Sequence, residues 1–484
     1  MKSVIEKIFR FGMDNPDKPA LLNGKESMTY GRMLTEVVRA SELLSREFGI
    51  SKGDSVILAA DKQLEFVAAY FACHLLEAVT LPIAPDTNPG RYELIKSKIS
   101  PKLVIGFDET DRRLQTAKLD RFRFEDGQAI RLDELSFPDQ ESVADVIFTT
   151  GTTGEPKGVQ LSHKNISAAA HNINTFIGNS MDDVEMLALP ISHSFGLGRM
   201  RCALTNGQTI VMLGSFANVK RFFRFMSEYG VNGFGMVPAS WALLKKMSGD
   251  EIGRFRDQLH YVEIGSAPMP IMDKEHLMEL LPDTRICMHY GLTEASRSAF
   301  MEFHEEAGRL DTVGKQSPNM TITIRDDAGN VLADGEEGEI CVEGDAVTTG
   351  YLGLSRDECF WGNAFRTGDW GVRDDDGYVR LKSRRKELIN VGGKKVSPIE
   401  VEEVLKQFDC IDDCACVGMS DPDGILGEVV KAFVVTDRPE RIIREELDGM
   451  IGNSLEGYKH PVAYELIDEI PKTASGKIRR LSLK

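Results

Sequence analysis

The 484-residue chain is short of several things, and each shortage excludes a class. Its eight cysteines are too sparse for a disulfide framework at this length. Basic residues fall short of acidic ones, 58 against 75. A net charge of −17 argues against a general nucleic-acid binder, which wants a basic face. No apolar run approaches the ~18 residues of a membrane span. The N-terminus, MKSVIEKIFRFG, carries Glu6 among its first charges and has no apolar signal core, so export is not expected. Internal repeats, low-complexity tracts and long Pro/Ser linkers are also missing. With 42% apolar and 27% charged residues the composition is that of an ordinary globular protein of two or three domains. The expectation is a soluble protein of a reducing compartment, placed in the cytoplasm.

What is present is a βαβα rhythm. Short apolar runs at 55–59 (SVILA), 103–107 (LVIGF), 145–150 (DVIFTT), 209–213 (TIVML) and 233–237 (GFGMV) alternate with helical patterns such as 64–76. This argues for an α/β architecture. From 335 to 381 the text becomes Gly-punctuated and strand-rich, and a basic cluster, Lys382, Arg384, Arg385 and Lys386, follows it. We read that cluster as a boundary between a large domain, 1–383, and a small one, 384–484. The small domain carries 16 basic and 19 acidic residues, so most of the excess acid sits on the large one. Within the small domain Ser397, Pro398 and Glu400 supply an N-cap, a first-turn proline and a capping-box carboxylate. Val401, Val404, Leu405 and Phe408 then form an apolar stripe.

The sharpest local pattern is TTGTTGEPKG at 149–158. It follows an apolar strand at 146–148 and precedes a helix capped by Ser162, with Ile166, Ala170, Ile173 and Ile177 on its buried face. Glycines let the backbone approach a ligand closely. The hydroxyls of Thr149, Thr150, Thr152 and Thr153, with Lys157, supply donors that suit a polyphosphate. The spacing is neither that of a Walker loop nor that of a dinucleotide fingerprint. A merely flexible surface loop would not need so many hydroxyls beside a lysine.

This loop resembles the phosphate-loop signature of the AMP-forming adenylating enzymes: acyl-CoA synthetases, peptide-synthetase adenylation domains and beetle luciferases. The usual form has Ser where Thr150 stands. The resemblance runs from 15–22 (NPDKPALL) through 49–56 (GISKGDSV) to 471–480 (PKTASGKIRR). It implies a large N-terminal domain of mixed sheets with helices, a small β-barrel-like subdomain, and a small mobile α+β C-terminal domain. It also implies that Gly151 and Gly154, with the threonines and Lys157, cradle ATP phosphates.

Further motifs take roles from the same resemblance. In HYGLTEA, 289–295, an aromatic, a hydroxyl and a carboxylate sit close together. The family roles are adenine stacking for Tyr290 beside Gly291, α-phosphate contact for Thr293, and Mg²⁺ for Glu294. One carboxylate suffices for Mg²⁺, which keeps waters and takes substrate phosphates. Gly265, Ser266, Ala267 and Pro268 resemble the adenine-side turn. Asp369 in FRTGD would accept from the ribose hydroxyls, although alone it reads as an ordinary turn aspartate. Arg384 matches a ribose-contacting arginine and Lys386 a hinge pivot, with Ser383 where a glycine is usual. Gly392 and Gly393 would line the passage for the pantetheine of coenzyme A. Lys477, in PKTASGK, matches the catalytic lysine that bridges the acyl carboxylate and the α-phosphate, where a bare basic run would read as solvated tail.

Three weaker signals complete the reading. Cys410, Cys414 and Cys416 lack a fourth ligand nearby and do not read as a zinc site. His193 in LPISHSFGLG matches a family histidine near the acyl site. Arg199 and Arg201 are expected to face solvent or a loop, the alternative being that one enters the acyl pocket to meet a polar tail. The implied activity is ATP-dependent activation of a carboxylic acid to an acyl-adenylate, then transfer to the thiol of coenzyme A. An alternative acceptor is the phosphopantetheine of an acyl carrier protein; a non-catalytic nucleotide-binding protein is the other rival.

Overall fold

A computed structural model describes residues 2–483 except 62, 110, 125–134, 151–155, 409, 438–446, 448–450, 452–453 and 473–477. The phosphate-loop residues Gly151, Thr152, Thr153 and Gly154, and Lys477, therefore lie outside the described residues, as does the side chain of Thr150. Chain proximity divides the protein into two compact units, Met1–Ile322 with Val342–Phe365 and Thr323–Cys341 with Arg366–Lys484.

The first unit holds two large sheets among the described residues. In the seven-stranded sheet Ser55–Ala59, Val79–Ile83 and Leu103–Ile105 run parallel, and β1 (Val143–Thr150) joins beside Val79–Ile83. β1 pairs antiparallel with β2 (Pro156–Ser162), Thr149 opposite Lys157. Thr149 and Thr150 thus end β1 and Pro156–Gly158 open β2, a seven-residue strand that runs from the motif to the expected helix. Pairing with β1 along its whole length, with Gly158 pressed on Val146, makes PKGVQLS a mostly buried strand. The helix itself is as expected: α1 (His163–Ile177) is capped by Ser162, whose Oγ accepts from the Asn165 N–H while Asn165 bonds back to the Ser162 N–H. Ile166, Ala170, Ile173 and Ile177 are buried.

The nine-stranded sheet is mostly parallel, its strands short and apolar because helices cover both faces. α2 (Ser194–Thr205) connects two of its strands, and β3 (Tyr261–Ile264) and β4 (Arg285–Tyr290) are adjacent parallel strands within it. A cluster around Phe222, Phe234, Trp241 and Ile264 forms one core; another lies around Phe9, Tyr30, Phe71 and Leu204. No helix among the described residues is long and apolar enough to cross a membrane.

β5 (Ala364–Arg373), all but its first two residues in the second unit, and β6 (Val379–Arg384) form a hairpin. A three-stranded sheet packs against α3 (Pro398–Leu405), giving the expected α+β character. Ser397 caps α3 by accepting from the Glu400 N–H, but Glu400 does not close a capping box: its carboxylate bonds Lys459 at 2.7 Å. The helix ends at Leu405, and Phe408 reaches the same core from beyond it. All eight cysteines are free and buried.

Candidate active site

The first unit brings several of the expected residues together. Strand β4 ends at Tyr290, which is buried, and the turn after it carries Thr293 and Glu294. The hydroxyl of Thr293 lies 3.1 Å from that of Ser194, the first residue of α2. His193 precedes it as an exposed cap residue that makes no side-chain cap bond. The buried Glu294 carboxylate accepts from the Tyr351 hydroxyl at 2.6 Å, and its carbonyl accepts from the Thr348 N–H at 2.7 Å. Lys157 sits over the Tyr351 ring at 5.0 Å, so Tyr351 links the lysine and the carboxylate. The segment that brings Tyr351 there is tied to α1, because Asn165 Nδ2 donates to the carbonyls of Asp345 and Val347. No sequence pattern marked Tyr351.

The adenine-side turn has a steric signature. A Cβ on Gly265 would stand 2.1 Å from the His289 ring, so only glycine fits there. Ser266 follows at φ +76, and Ala267 and Pro268 continue outward, Pro268 exposed. Gly291 is equally confined, its Cβ position lying 2.5 Å from the Arg297 nitrogen.

Behind this turn lies a buried charge cluster that the sequence reading missed. Glu263 on β3 accepts from Arg297 Nε at 3.0 Å, meets His289 Nδ1 at 2.8 Å and lies 3.1 Å from Arg199 Nη1. Arg199 also pairs with Glu185, which takes the Tyr261 hydroxyl at 2.7 Å. Burial pushes the Glu263 carboxyl up, but Arg297, His289 and Arg199 outweigh it and hold it well below the usual carboxylate range. Arg297 Nη2 reaches the Phe195 carbonyl at 3.4 Å, and its guanidinium stacks on that ring. The cluster thus joins the start of α2 to the turn that bears Thr293.

The expectation that Arg199 and Arg201 face solvent is overturned. Arg199 is 0% and Arg201 5% exposed. Arg201 pairs with Asp145 on β1 and donates to the Tyr70 hydroxyl at 2.7 and 2.9 Å; Asp145 in turn binds His74 and Thr80. Both arginines are buried because each finds a buried carboxylate. An arginine pair two apart in an otherwise apolar helix, with lone acids on neighbouring strands, was the available signal.

The second unit pairs two of its candidates directly. Asp369 on β5 stands opposite Arg384 on β6, and Arg384 Nε meets Asp369 Oδ1 at 2.8 Å. Lys386 is exposed in the short turn after β6, while its neighbour Arg385 is held by Glu339 and Asp327. Gly392 and Gly393 form the exposed turn of a hairpin at φ +57 and +86, a conformation that favours glycine. Lys477 lies in the undescribed stretch 473–477, whose flanks are anchored. Lys472 pairs with Asp413 at 2.5 Å, and Arg480 donates to both oxygens of Glu402 at 2.8 Å.

Among the described residues no group of three or more His, Cys, Asp or Glu could hold a metal by itself. Glu294 fits Mg²⁺ in another way: a hard oxygen ligand with one oxygen steadied by Tyr351, of the kind that completes its shell with water and phosphate.

Comparison with known proteins identifies the family and the fold. A family model for AMP-binding enzymes matches residues 9–352, and one for the AMP-binding enzyme C-terminal domain matches 400–477. An oxalate–CoA ligase of Arabidopsis thaliana is 28% identical, over 96% of this chain and 95% of its own. A 2-succinylbenzoate–CoA ligase of Bacillus licheniformis is 29% identical, over 97% of each chain. The o-succinylbenzoate CoA synthetase of Bacillus subtilis, solved with its acyl-adenylate intermediate, superposes with a TM-score of 0.88 at 25% identity, covering 99% of this chain and 97% of that one.

Proposed function

Since the chain belongs to the AMP-binding enzyme family, we infer that it is an AMP-forming acid:CoA ligase. The observation that carries the reading is the grouping of Thr293, Ser194, Glu294, Tyr351 and Lys157 around the turn after β4. A carboxylic acid is already ionised at neutral pH, so the first step needs no general base. Its oxygen attacks the α-phosphorus of ATP, and the bond to pyrophosphate breaks. The enzyme's task is to align two anions and neutralise their charge.

The hydroxyls of Thr293 and Ser194, 3.1 Å apart, would donate to the α-phosphate and the incoming carboxylate. Lys157 and the threonines of 149–153 hold the departing phosphates, and Lys477 bridges the two reacting groups. Glu294, oriented by Tyr351, would hold Mg²⁺, whose charge offsets that of the phosphates when bound. Tyr290 stacks the adenine beside the turn of Gly265–Pro268, while Asp369 and Arg384 take the ribose hydroxyls. In the second step the thiol of coenzyme A attacks the acyl carbon and AMP leaves. Gly392 and Gly393, lacking side chains, leave a passage for the pantetheine arm. The proposed functional boundary is 383/384, with Lys386 as the pivot between the two steps.

Carboxylate-dependent ATP–pyrophosphate exchange tests this. Lys477→Ala should abolish exchange and spare thioester formation from supplied acyl-adenylate; normal exchange in that variant would refute the assignment.

A further inference from the structure

The residues on either side of 473–477 are tied to one another and to the body of the second unit. Ile478, which directly follows Lys477, pairs with Lys472, and the Arg479 N–H donates to the Pro471 carbonyl at 2.8 Å. The two ends that flank the stretch are therefore held side by side. Ile478 also packs on the apolar cluster of Ala415, Val417, Phe433 and Ile470. Arg480, close behind Lys477 in sequence, opens a short turn and is buried.

Two ion pairs hold these flanks, and they are unequal. Lys472 and Asp413 are 41% and 22% exposed, and a surface pair of that kind is worth little. The pair of Arg480 with Glu402 is buried, and every carboxylate oxygen in it is used. Arg480 Nη2 donates to both oxygens of Glu402 at 2.8 Å, and Oε1 also accepts from the Cys416 N–H at 2.7 Å. Glu402 belongs to α3, and Cys416 to Asp413–Ser420, an edge strand of the three-stranded sheet. One carboxylate thus ties a helix, a strand edge and the backbone that leaves Lys477.

A buried ion pair adds little stability over apolar side chains filling the same space, but its bonds are directional. Here they fix the course of the chain just past Lys477. A lysine stem is flexible, so what the fold can set is the place of its backbone. A lysine that must bridge two anions depends on that place.

We propose that Arg480 and Glu402 are positioning residues for Lys477, and so serve the adenylate-forming step and not the thioester-forming one. The proposal rests on the ligase reading above and adds the residues that hold its lysine in register. The thioester step uses Gly392 and Gly393 of the same unit and has no need of Lys477. Loss of positioning therefore spares that step, whereas general loosening of the unit would damage both.

Two variants separate the cases. Arg480→Lys keeps the charge beside Glu402 but replaces the planar guanidinium with a single ammonium. The paired variant Arg480→Met with Glu402→Gln removes both buried charges and keeps an acceptor for the Cys416 N–H. Glu387, 3.5 Å from Arg480 Nε, is 27% exposed and stays solvated. Folding is checked by circular dichroism. Acetate, octanoate, succinate and benzoate are screened, and the fastest acid in the native enzyme is carried through. In the paired variant kcat for ATP–pyrophosphate exchange should fall about 10–100-fold, with a smaller fall in Arg480→Lys. Thioester formation from the supplied acyl-adenylate should stay near the native rate in both. If the paired variant does not fold, Arg480→Lys decides by the same split. Equal losses in the two half-reactions, or undiminished exchange while Lys477→Ala abolishes it, would overturn the proposal and leave the ligase reading intact. Normal exchange in Lys477→Ala would overturn the lysine assignment and the proposal with it, and exchange with no acid would overturn the ligase reading as well.

Discussion

Glu263→Gln should be among the most damaging single-atom-scale changes in the protein. Glu263 is 0% exposed and is shared by Arg297, His289 and Arg199 at 2.8–3.1 Å. Arg199 keeps Glu185 in the variant, but Arg297 loses the carboxylate that it bonds. Stranding one member of a buried ion pair costs about 3–5 kcal/mol. For a unit this large, each kcal/mol lowers the melting temperature by about 2 °C, so the fall should be on the order of 10 °C. Circular dichroism melts and urea midpoints would measure it. The double variant Glu263→Gln with Arg297→Gln removes both charges and should recover at least about 1 kcal/mol relative to the single one. A single variant within about 1 kcal/mol of the parent, or a double variant no better than the single, would refute the hub role of Glu263.

Two other outcomes follow from neighbouring geometry. Tyr351→Phe removes the hydroxyl that steadies Glu294, so the Mg²⁺ concentration for half-maximal exchange should rise about 10–100-fold, as loss of a ligand's supporting bond does in other metal sites. An unchanged Mg²⁺ titration would count against it. Burial holds the His163 imidazole down to about 3, and neither ring nitrogen has a hydrogen-bond partner among the described residues. Because its folded value lies below the unfolded ~6.5, its contribution is complete above that pH and is lost as pH falls towards 3, by up to ~1.4 kcal/mol per pH unit. His163→Met should therefore flatten the fall of the urea midpoint between pH 6 and pH 4; an equal slope in both proteins would contradict this sign.

Much of the local structure was legible where one physical signal acted alone. The apolar run SVILA became the strand Ser55–Ala59, and the Ser162 cap opened α1, since both depend only on neighbouring residues. The strand that leaves the 149–158 motif was overlooked because PKGVQLS acquires its identity from pairing with β1. Glu400 illustrates the same limit: its spacing from Ser397 suits a capping box, yet Lys459, distant in sequence, captures the carboxylate. Thr293, Glu294 and the Asp369–Arg384 pair were visible as motif residues, whereas Tyr351 and Glu263 were not. Their importance arises only from what the fold places beside them.

The buried arginines show why charge count and site chemistry diverge. A chain of net charge −17 nevertheless encloses Arg199, Arg201 and Arg297 near the turn that bears Thr293 and Glu294. Pairs of this kind add little stability over well-packed apolar side chains, so their presence calls for another reason. The backbone supplies one. Arg297 adopts φ +50, a conformation unfavourable for a long side chain, and Gly291 is pinned against its nitrogen. Such a turn persists only if its surroundings over-determine it. Glu263 at the side chain of Arg297, with Phe195 stacked on its guanidinium, supplies that constraint. An apolar substitute would fill the space without fixing the direction of the turn. The directional bonds of the ion pairs are therefore better suited than packing alone to hold the Thr293 hydroxyl within reach of Ser194, which is the geometry the proposed chemistry requires.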